Sequence, residues 1–179
     1  MKEMCSCSFW RFSVLFLLSL CLLLVGCGRG GADHFSYLDA DGISAEIKGE
    51  YAGEKFAAKM TLSRDLGGRR VTLCYLSPEV VKGLTLSALL GSDGSVGDVT
   101  VEKGGASERL PFESLKGLLK PALPLVREKT PVRVQKEGEG FRLSLDGGGE
   151  LTLCAEGNPL EYREDGFWVR VLSWERLST

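Results

Sequence analysis

Cysteine thiols, one histidine and scattered carboxylates are the side chains of this sequence that could do chemistry. The histidine, His34, lies in an aperiodic, glycine-rich segment that cannot hold the fixed geometry of a general base or a zinc ligand. The stretch DADG, residues 39–42, has the acidic spacing that opens a calcium-binding loop, but Ile43 and Ser44 stand where that loop needs an oxygen ligand and a glycine. We therefore expect a non-enzymatic protein with no catalytic residue, no metal ion and no cofactor.

Cys27 has the most informative surroundings of the cysteines. It follows an uncharged apolar run, residues 12–26, which is itself preceded by a short head that contains Lys2 and Arg11. A charged head, an apolar segment and a small residue at its end are typical of an export signal. A transmembrane helix needs roughly 20 apolar residues, so this shorter run favours a signal that is removed over a permanent membrane span.

Residues 24–27, LVGC, resemble the lipobox of bacterial lipoproteins. The resemblance implies that the Cys27 thiol receives a diacylglyceryl group with fatty acyl chains such as palmitate, and that the chain is cut just before it. The implied organisation is a signal peptide at 1–26, a lipidated N-terminus and flexible tether at 27–41, and a folded domain at 42–179. The implied location is the extracytoplasmic face of the cell membrane. An ordinary secretory signal with an incidental cysteine is the alternative.

Cleavage at Cys27 would leave two further cysteines, Cys74 and Cys154, in the folded domain. They occupy similar strand-like stretches, VTLCYL and LTLCAE. Export permits a disulfide between them, but the sequence does not establish that the two residues lie within bridging distance. Two buried free thiols are the alternative.

Hydrophobic alternation with a period of two dominates the rest of the chain and predicts antiparallel strands joined by glycine-rich turns. One segment, residues 110–128, instead has apolar residues at spacings of three and four, interrupted by Pro121 and Pro124. It predicts a helix from about Phe112 to Lys120, a kink and a second short turn. The pattern predicts about five strands, this helical insertion and about five more strands. Apolar residues on both parities of 167–174 predict that the last strand is buried on both faces.

Charge excludes one class of partner. The sequence has 22 Lys plus Arg against 24 Asp plus Glu, a formal net charge of -2. A nucleic-acid-binding domain needs a clustered basic field, so we expect no nucleic-acid partner. The chain length fits one folded domain.

The order of elements, with the phrases YLSPEVVKGLTL (75–86) and EGNPLEY (156–162), resembles the LolA/LolB-type carriers and LppX-like lipoproteins, and small uncharacterised Gram-positive lipoproteins of this type. The resemblance implies an α+β, predominantly antiparallel fold. Its sheet would be a strongly curved half-barrel of about ten strands, with the kinked helical insertion packed on the concave face. The long N-terminal helix of the LolA/LolB carriers is missing, which leaves residues 112–127 as the only expected helical cover.

In such proteins the half-barrel holds acyl chains or other apolar ligands. A corresponding cavity here would be lined by apolar residues of two strands and the helical segment: Phe56, Met60, Leu62, Val71, Leu73, Tyr75, Leu115, Leu118, Leu119 and Leu123. The first functional hypothesis is a membrane-anchored lipoprotein that binds or carries a hydrophobic small molecule or lipid. The alternative is a lipid-anchored interaction or accessory module in which the same residues form a solid core.

Overall fold

Eleven strands form one antiparallel sheet in the computed structural model, which describes residues 34–177. The predicted signal peptide and Cys27 lie outside the described residues. In chain order the strands are β1 (Gly42–Tyr51), β2 (Glu54–Asp65), β3 (Gly68–Ser77), β4 (Thr85–Leu90), β5 (Val96–Lys103), β6 (Ala106–Leu110), β7 (Pro131–Glu137), β8 (Gly140–Leu145), β9 (Glu150–Leu153), β10 (Pro159–Glu164) and β11 (Phe167–Leu177).

Strands that are neighbours in the sheet are also consecutive in the chain, with one exception. The spatial order is β6-β5-β4-β3-β2-β1-β11-β10-β9-β8-β7, so the first and last strands pair with each other in the middle. Strands β6 and β7 form the two edges and do not pair, which leaves the curved sheet open. The predicted half-barrel of antiparallel strands is therefore confirmed, with one strand more than expected.

Two helices connect the edge strands β6 and β7. Helix α1 spans Phe112–Leu119, and the four-residue helix α2 spans Leu123–Val126. Pro121 and Pro124 account for the break, because neither residue can donate a helix-interior hydrogen bond. Helix α1 packs on β5 and α2 packs on β10, so the segment crosses from one half of the sheet to the other. The predicted kinked helical insertion is confirmed.

One hydrophobic core fills the space between the sheet and these helices. Alternate residues of each central strand face inward, as Ile43, Ala45 and Ile47 do on β1. The buried residues of the helical segment, including Leu119 and Leu125, belong to the same cluster. Burial of this face accounts for the period-two pattern of the sequence.

The last strand differs from its prediction. On the neighbouring strand β1, Glu46 pairs with Ser173 of β11, and the next residue, Ile47, pairs with Val171. Leu172 is therefore an extra, bulged residue of β11. A β-bulge shifts which side chains face inward. Val171 and Trp174 both pack against the core, while Leu172 is 53% exposed. The predicted burial on both faces is wrong: the bulge brings Trp174 to the same face as Val171, Leu172 is exposed, and Trp168 on the other face is only half-buried.

The folded body begins earlier in the chain than predicted. A short 3-10 helix, Ser36–Asp39, precedes β1, and its Tyr37 and Leu38 are fully buried. The Tyr37 ring meets the Trp174 ring edge-on, with centroids 5.4 Å apart. Phe35, Tyr37 and Leu38 of the predicted tether thus pack into the core. A helix this short has too few residues to produce a recognisable period.

Candidate functional site

The ten residues predicted to line a cavity meet in the interior between the sheet and the helices. Three lie on β2, three on β3, three on α1 and one on α2. Eight are buried members of the core cluster, and Leu115 and Leu118 are half-buried residues packed against it. The sequence therefore identified residues that share one apolar environment.

The interior beside these residues is closely packed. Met60, Leu73 and Leu119 each retain 0% of their accessible surface. A side chain that faced a cavity wide enough for water, or for an acyl chain, would keep some accessible area. Three cavities of the described chain are lined by other residues. Around Met60, Leu73 and Leu119 the half-barrel is filled by its own side chains.

Packing is less complete along one side of helix α1. Phe112, Leu115 and Leu118 pack against the core but remain half-buried. The same is true of apolar residues in the loop after β3 and on the strand that α1 contacts: Val81, Leu84, Val96 and Val101. We call these seven residues the α1 seam. They are one part of the core-packed apolar surface that water still reaches; the other half-buried apolar residues of the described chain that pack on this core are Ala40, Tyr51, Phe141, Val171 and Trp174.

Tyr75 joins the sheet to α1 next to this seam. Its hydroxyl donates a hydrogen bond to the Leu118 carbonyl oxygen at 2.6 Å. The ring also contacts Phe56 edge-on, at 6.5 Å between centroids. Burial raises the pKa of the Tyr75 hydroxyl, which therefore stays protonated and remains the donor of the hydrogen bond to the Leu118 carbonyl oxygen.

Lys120 anchors the kink at the C-terminal end of α1, two residues after Leu118. Its Nζ lies 5.0 Å from the ring centroid of Tyr51 and 5.1 Å from that of Phe167, and 3.7 Å from Glu164 Oε1. Tyr162 donates a hydrogen bond to the other Glu164 oxygen at 2.9 Å. The kink between α1 and α2 is thus tied to β1, β10 and β11 through one lysine.

Two polar cavities lie elsewhere, and sequence reasoning missed both. One, of about 600 Å³, includes Glu161 with Arg163 and Arg170 on the outward parity of β10 and β11. Partial burial of Glu161 acts to raise its pKa, but hydrogen bonds from the two arginines outweigh burial and lower it. Both arginines pair with Glu161, which makes this cluster an ion-pair network.

The second polar cavity, of about 500 Å³, lies between the β2–β3 turn, the β4–β5 turn and the residues after α2. Arg64, Arg69 and Arg127 line it, with Asp65 and Glu128. These side chains come from distant segments, so no spacing in the sequence could have indicated the cluster.

Cys74 and Cys154 are both free and half-buried. Cys74 lies on β3 and Cys154 directly follows β9, and four strands lie between β3 and β9 in the sheet. Five strand spacings of about 4.8 Å far exceed the Cα separation that a disulfide spans. The possible disulfide is therefore not formed, and the alternative of free thiols describes the structure.

Two classes of site are missing from the described part of the chain. Between residues 34 and 177, no group of three or more His, Cys, Asp or Glu side chains is placed to hold a metal ion. Over the same residues no helix is long and apolar enough to cross a membrane.

Comparison with known proteins was informative at the level of structure. No protein-family model matches the chain, and no curated protein gives a significant sequence match. An uncharacterised conserved protein from Thermus thermophilus has a similar structure, with a TM-score of 0.52 and 12% identity over 82% of this chain and 85% of that chain. MucB has a TM-score of 0.49 and 14% sequence identity, over 85% of this chain and 61% of that chain. A putative outer membrane lipoprotein-sorting protein domain from Vibrio parahaemolyticus has a TM-score of 0.43 and 7% sequence identity, over 75% of this chain and 84% of that chain. The likeness to the Thermus protein shows a shared fold.

Proposed function

We propose that this chain is a lipid-anchored envelope protein on the extracytoplasmic face of the cell membrane that binds an apolar ligand, such as a lipid acyl chain, and performs no covalent chemistry. The observation that carries the proposal is the α1 seam. It is a set of apolar residues on α1, on β5 and in the loop after β3 that pack against the core and that the protein's own side chains leave half-covered.

The energetics of the seam favour an apolar occupant. Full burial of one large apolar side chain contributes about 1.5 to 3 kcal/mol. Phe112, Leu115 and Leu118 each realise only part of that while half-buried. A ligand that lies along α1 would complete their burial. The filled interior near Met60 supports a ligand position at the seam over one in the centre of the half-barrel.

Movement of α1 would enlarge the site at modest cost. The polar link between α1 and β3 is the Tyr75–Leu118 hydrogen bond, and such a bond contributes about 0.5 to 1.5 kcal/mol. The apolar contacts that α1 leaves would be replaced by contacts with the ligand. At the kink, Lys120 would keep its contacts with Tyr51, Phe167 and Glu164.

Lipid analysis tests the ligand. Residues 28–179 would be expressed without the signal, purified and extracted with organic solvent, and the extract examined by mass spectrometry. We expect about one apolar molecule per protein in the native form and loss of it in Leu118→Glu. The control Leu160→Glu changes an outward residue that is already 44% exposed and should keep the ligand. A clean extract, together with no response to apolar dyes, would overturn ligand binding.

Substitution of Cys27 tests the anchor separately. In the full-length chain Cys27→Ala should abolish acylation and release the protein from the membrane fraction or leave an uncut precursor. Metabolic labelling with a fatty acid and fractionation measure both effects. Unchanged membrane attachment of the variant would contradict the lipid anchor.

A second candidate is an accessory module that docks a protein partner and holds no ligand. The closed interior beside Met60 and Leu73 favours it. The edge strand β7 supplies a docking surface, because its residues after Pro131 are all exposed and include Val132 and Val134. An exposed edge can accept a strand from another protein. A clean lipid extract would leave this candidate ahead.

A further inference from the structure

Arg127 has a hydrogen-bonding requirement that the described chain leaves unmet. The residue directly follows α2, where its backbone N–H donates to the Leu123 carbonyl oxygen at 3.1 Å. Its side-chain Nε is buried, and among residues 34–177 it has no hydrogen-bond partner. A buried N–H of a charged group without an acceptor is costly, so an acceptor from outside the chain would stabilise this arginine.

The Arg127 Nε is itself buried, but the half-buried side chain lines a cavity of about 500 Å³ between the hairpin turns, so rotation of the guanidinium would bring it to an acceptor in that space. Arg127 lines it with two further arginines, Arg64 and Arg69. The turn at 91–94 completes the wall with small residues. An added Cβ at Gly68 would overlap the Leu90 carbonyl oxygen, so glycine there permits the close approach of the two strands beside the cavity.

The carboxylates around the cavity are already engaged. Asp65 accepts from the Arg70 guanidinium at 2.6 and 2.8 Å, and Asp93 accepts from the Ser95 backbone N–H at 2.9 Å. Hydrogen bonds from these partners lower the pKa of both carboxyl groups, which are therefore ionised at neutral pH.

The remaining acid, Glu128, holds its arginine only loosely. The Arg69–Glu128 separation is 3.8 Å, longer than a direct charge-assisted hydrogen bond. The Arg64–Asp41 separation is also 3.8 Å, and both side chains are more than half exposed. Arg69 can therefore turn toward a stronger acceptor without losing a close ion pair.

We propose that this cavity binds a phosphate group through the guanidinium groups of Arg127 and Arg69. Guanidinium forks match the oxygens of phosphate, and hydrogen bonds from a guanidinium to a phosphate are charge-assisted. The phosphate could be the free ion or the phosphate monoester of a small headgroup. The site is separate from the α1 seam, so it does not depend on the proposed apolar ligand.

Calorimetric titration of the full chain in a nonionic detergent tests the proposal. Inorganic phosphate and glycerol phosphate are the two probes. We expect binding of both, weakened by about tenfold or more in Arg127→Gln, because charge-assisted hydrogen bonds contribute that much. Tighter binding of glycerol phosphate would identify a headgroup as the source of the phosphate, and equal or weaker binding would identify the free ion.

Matched variants keep the test decisive. Arg109→Gln removes an arginine that pairs with Asp98 on β5 and does not line the cavity, so it should bind phosphate like the native chain. Arg69→Gln should also weaken binding and stands in for Arg127→Gln if circular dichroism shows that the latter is unfolded. The proposal would be overturned if neither probe bound the native chain. It would also be overturned if a folded Arg127→Gln or Arg69→Gln variant bound the probes with the affinity of the native chain. Neither result affects the lipid extraction that tests the α1 seam.

Discussion

The hydroxyl of Tyr75 on β3 donates a 2.6 Å hydrogen bond to the carbonyl oxygen of Leu118, one residue before the end of α1. Lys120, two residues further on, lies over the rings of Tyr51 and Phe167. The helical segment is thus held at two points: to β3 beside the α1 seam, and to β1 and β11 at the kink. Each point can be tested with a single substitution.

Tyr75→Phe removes the first point without changing the ring that packs on Phe56. We expect a loss of about 0.5 to 1.5 kcal/mol in the free energy of unfolding, the usual contribution of one hydrogen bond. Amide hydrogen exchange should accelerate in α1. The control Leu76→Ala, on the outward-facing neighbour that is 48% exposed, should change stability by less. Unchanged exchange in α1 would show that the hydrogen bond does not hold the helix.

Lys120→Met removes the second point. The expected loss is about 1 kcal/mol, from the contact with two aromatic rings and a half-buried ion pair with Glu164. Part of this loss should disappear at high salt, because salt screens ion pairs. Urea unfolding at low and high salt measures it. Lys116→Met, an exposed position one turn earlier on α1, is the matched control, and an equal loss there would contradict the assignment.

The sheet could be predicted because half-buried antiparallel strands produce an alternating sequence. Ile43, Met60 and Leu73 all face the core as expected. The bulge at Leu172 could not be predicted, because the local pairing register with Glu46 and Ile47 decides where the extra residue lies. In the sequence the bulge leaves only apolar residues at both odd and even positions, a pattern that has more than one explanation.

The candidate sites depended on two kinds of information that a sequence lacks. Whether Met60 lines a cavity or fills one is decided by packing against α1 and α2, which spacing does not report. The arginines at 64, 69 and 127 come together only because the β2–β3 turn and the end of α2 lie at the same end of the sheet. The burial of Tyr37 likewise depends on Trp174, far away in the chain.

Gly149→Ala tests the packing beneath Tyr162. Gly149 has a φ of 89°, and an added Cβ would overlap the Tyr162 hydroxyl. Gly147 in the same turn has a φ of 78°, but a Cβ added there would have no neighbouring atom within 4 Å. Both alanines incur about 1 to 2 kcal/mol for the left-handed conformation, and only Gly149→Ala adds about 1 to 3 kcal/mol for the overlap. Equal midpoints of urea unfolding for the two variants would contradict this packing.

Alkaline pH should unfold the protein through its buried tyrosines. Burial raises the pKa of Tyr37, Tyr75 and Tyr162, and the negative charges of Glu128 and Glu164 raise those of Tyr37 and Tyr162 further. An unfolded tyrosine titrates near pH 10, so the folded state binds more protons above that pH. The stability that these groups contribute is complete below pH 10 and falls above it, by up to about 1.4 kcal/mol per pH unit for each tyrosine. Urea unfolding between pH 9 and about pH 12 should show this slope, and Tyr75→Phe should reduce it by one tyrosine's share. A stability that stays constant over this range would contradict the burial of all three hydroxyls.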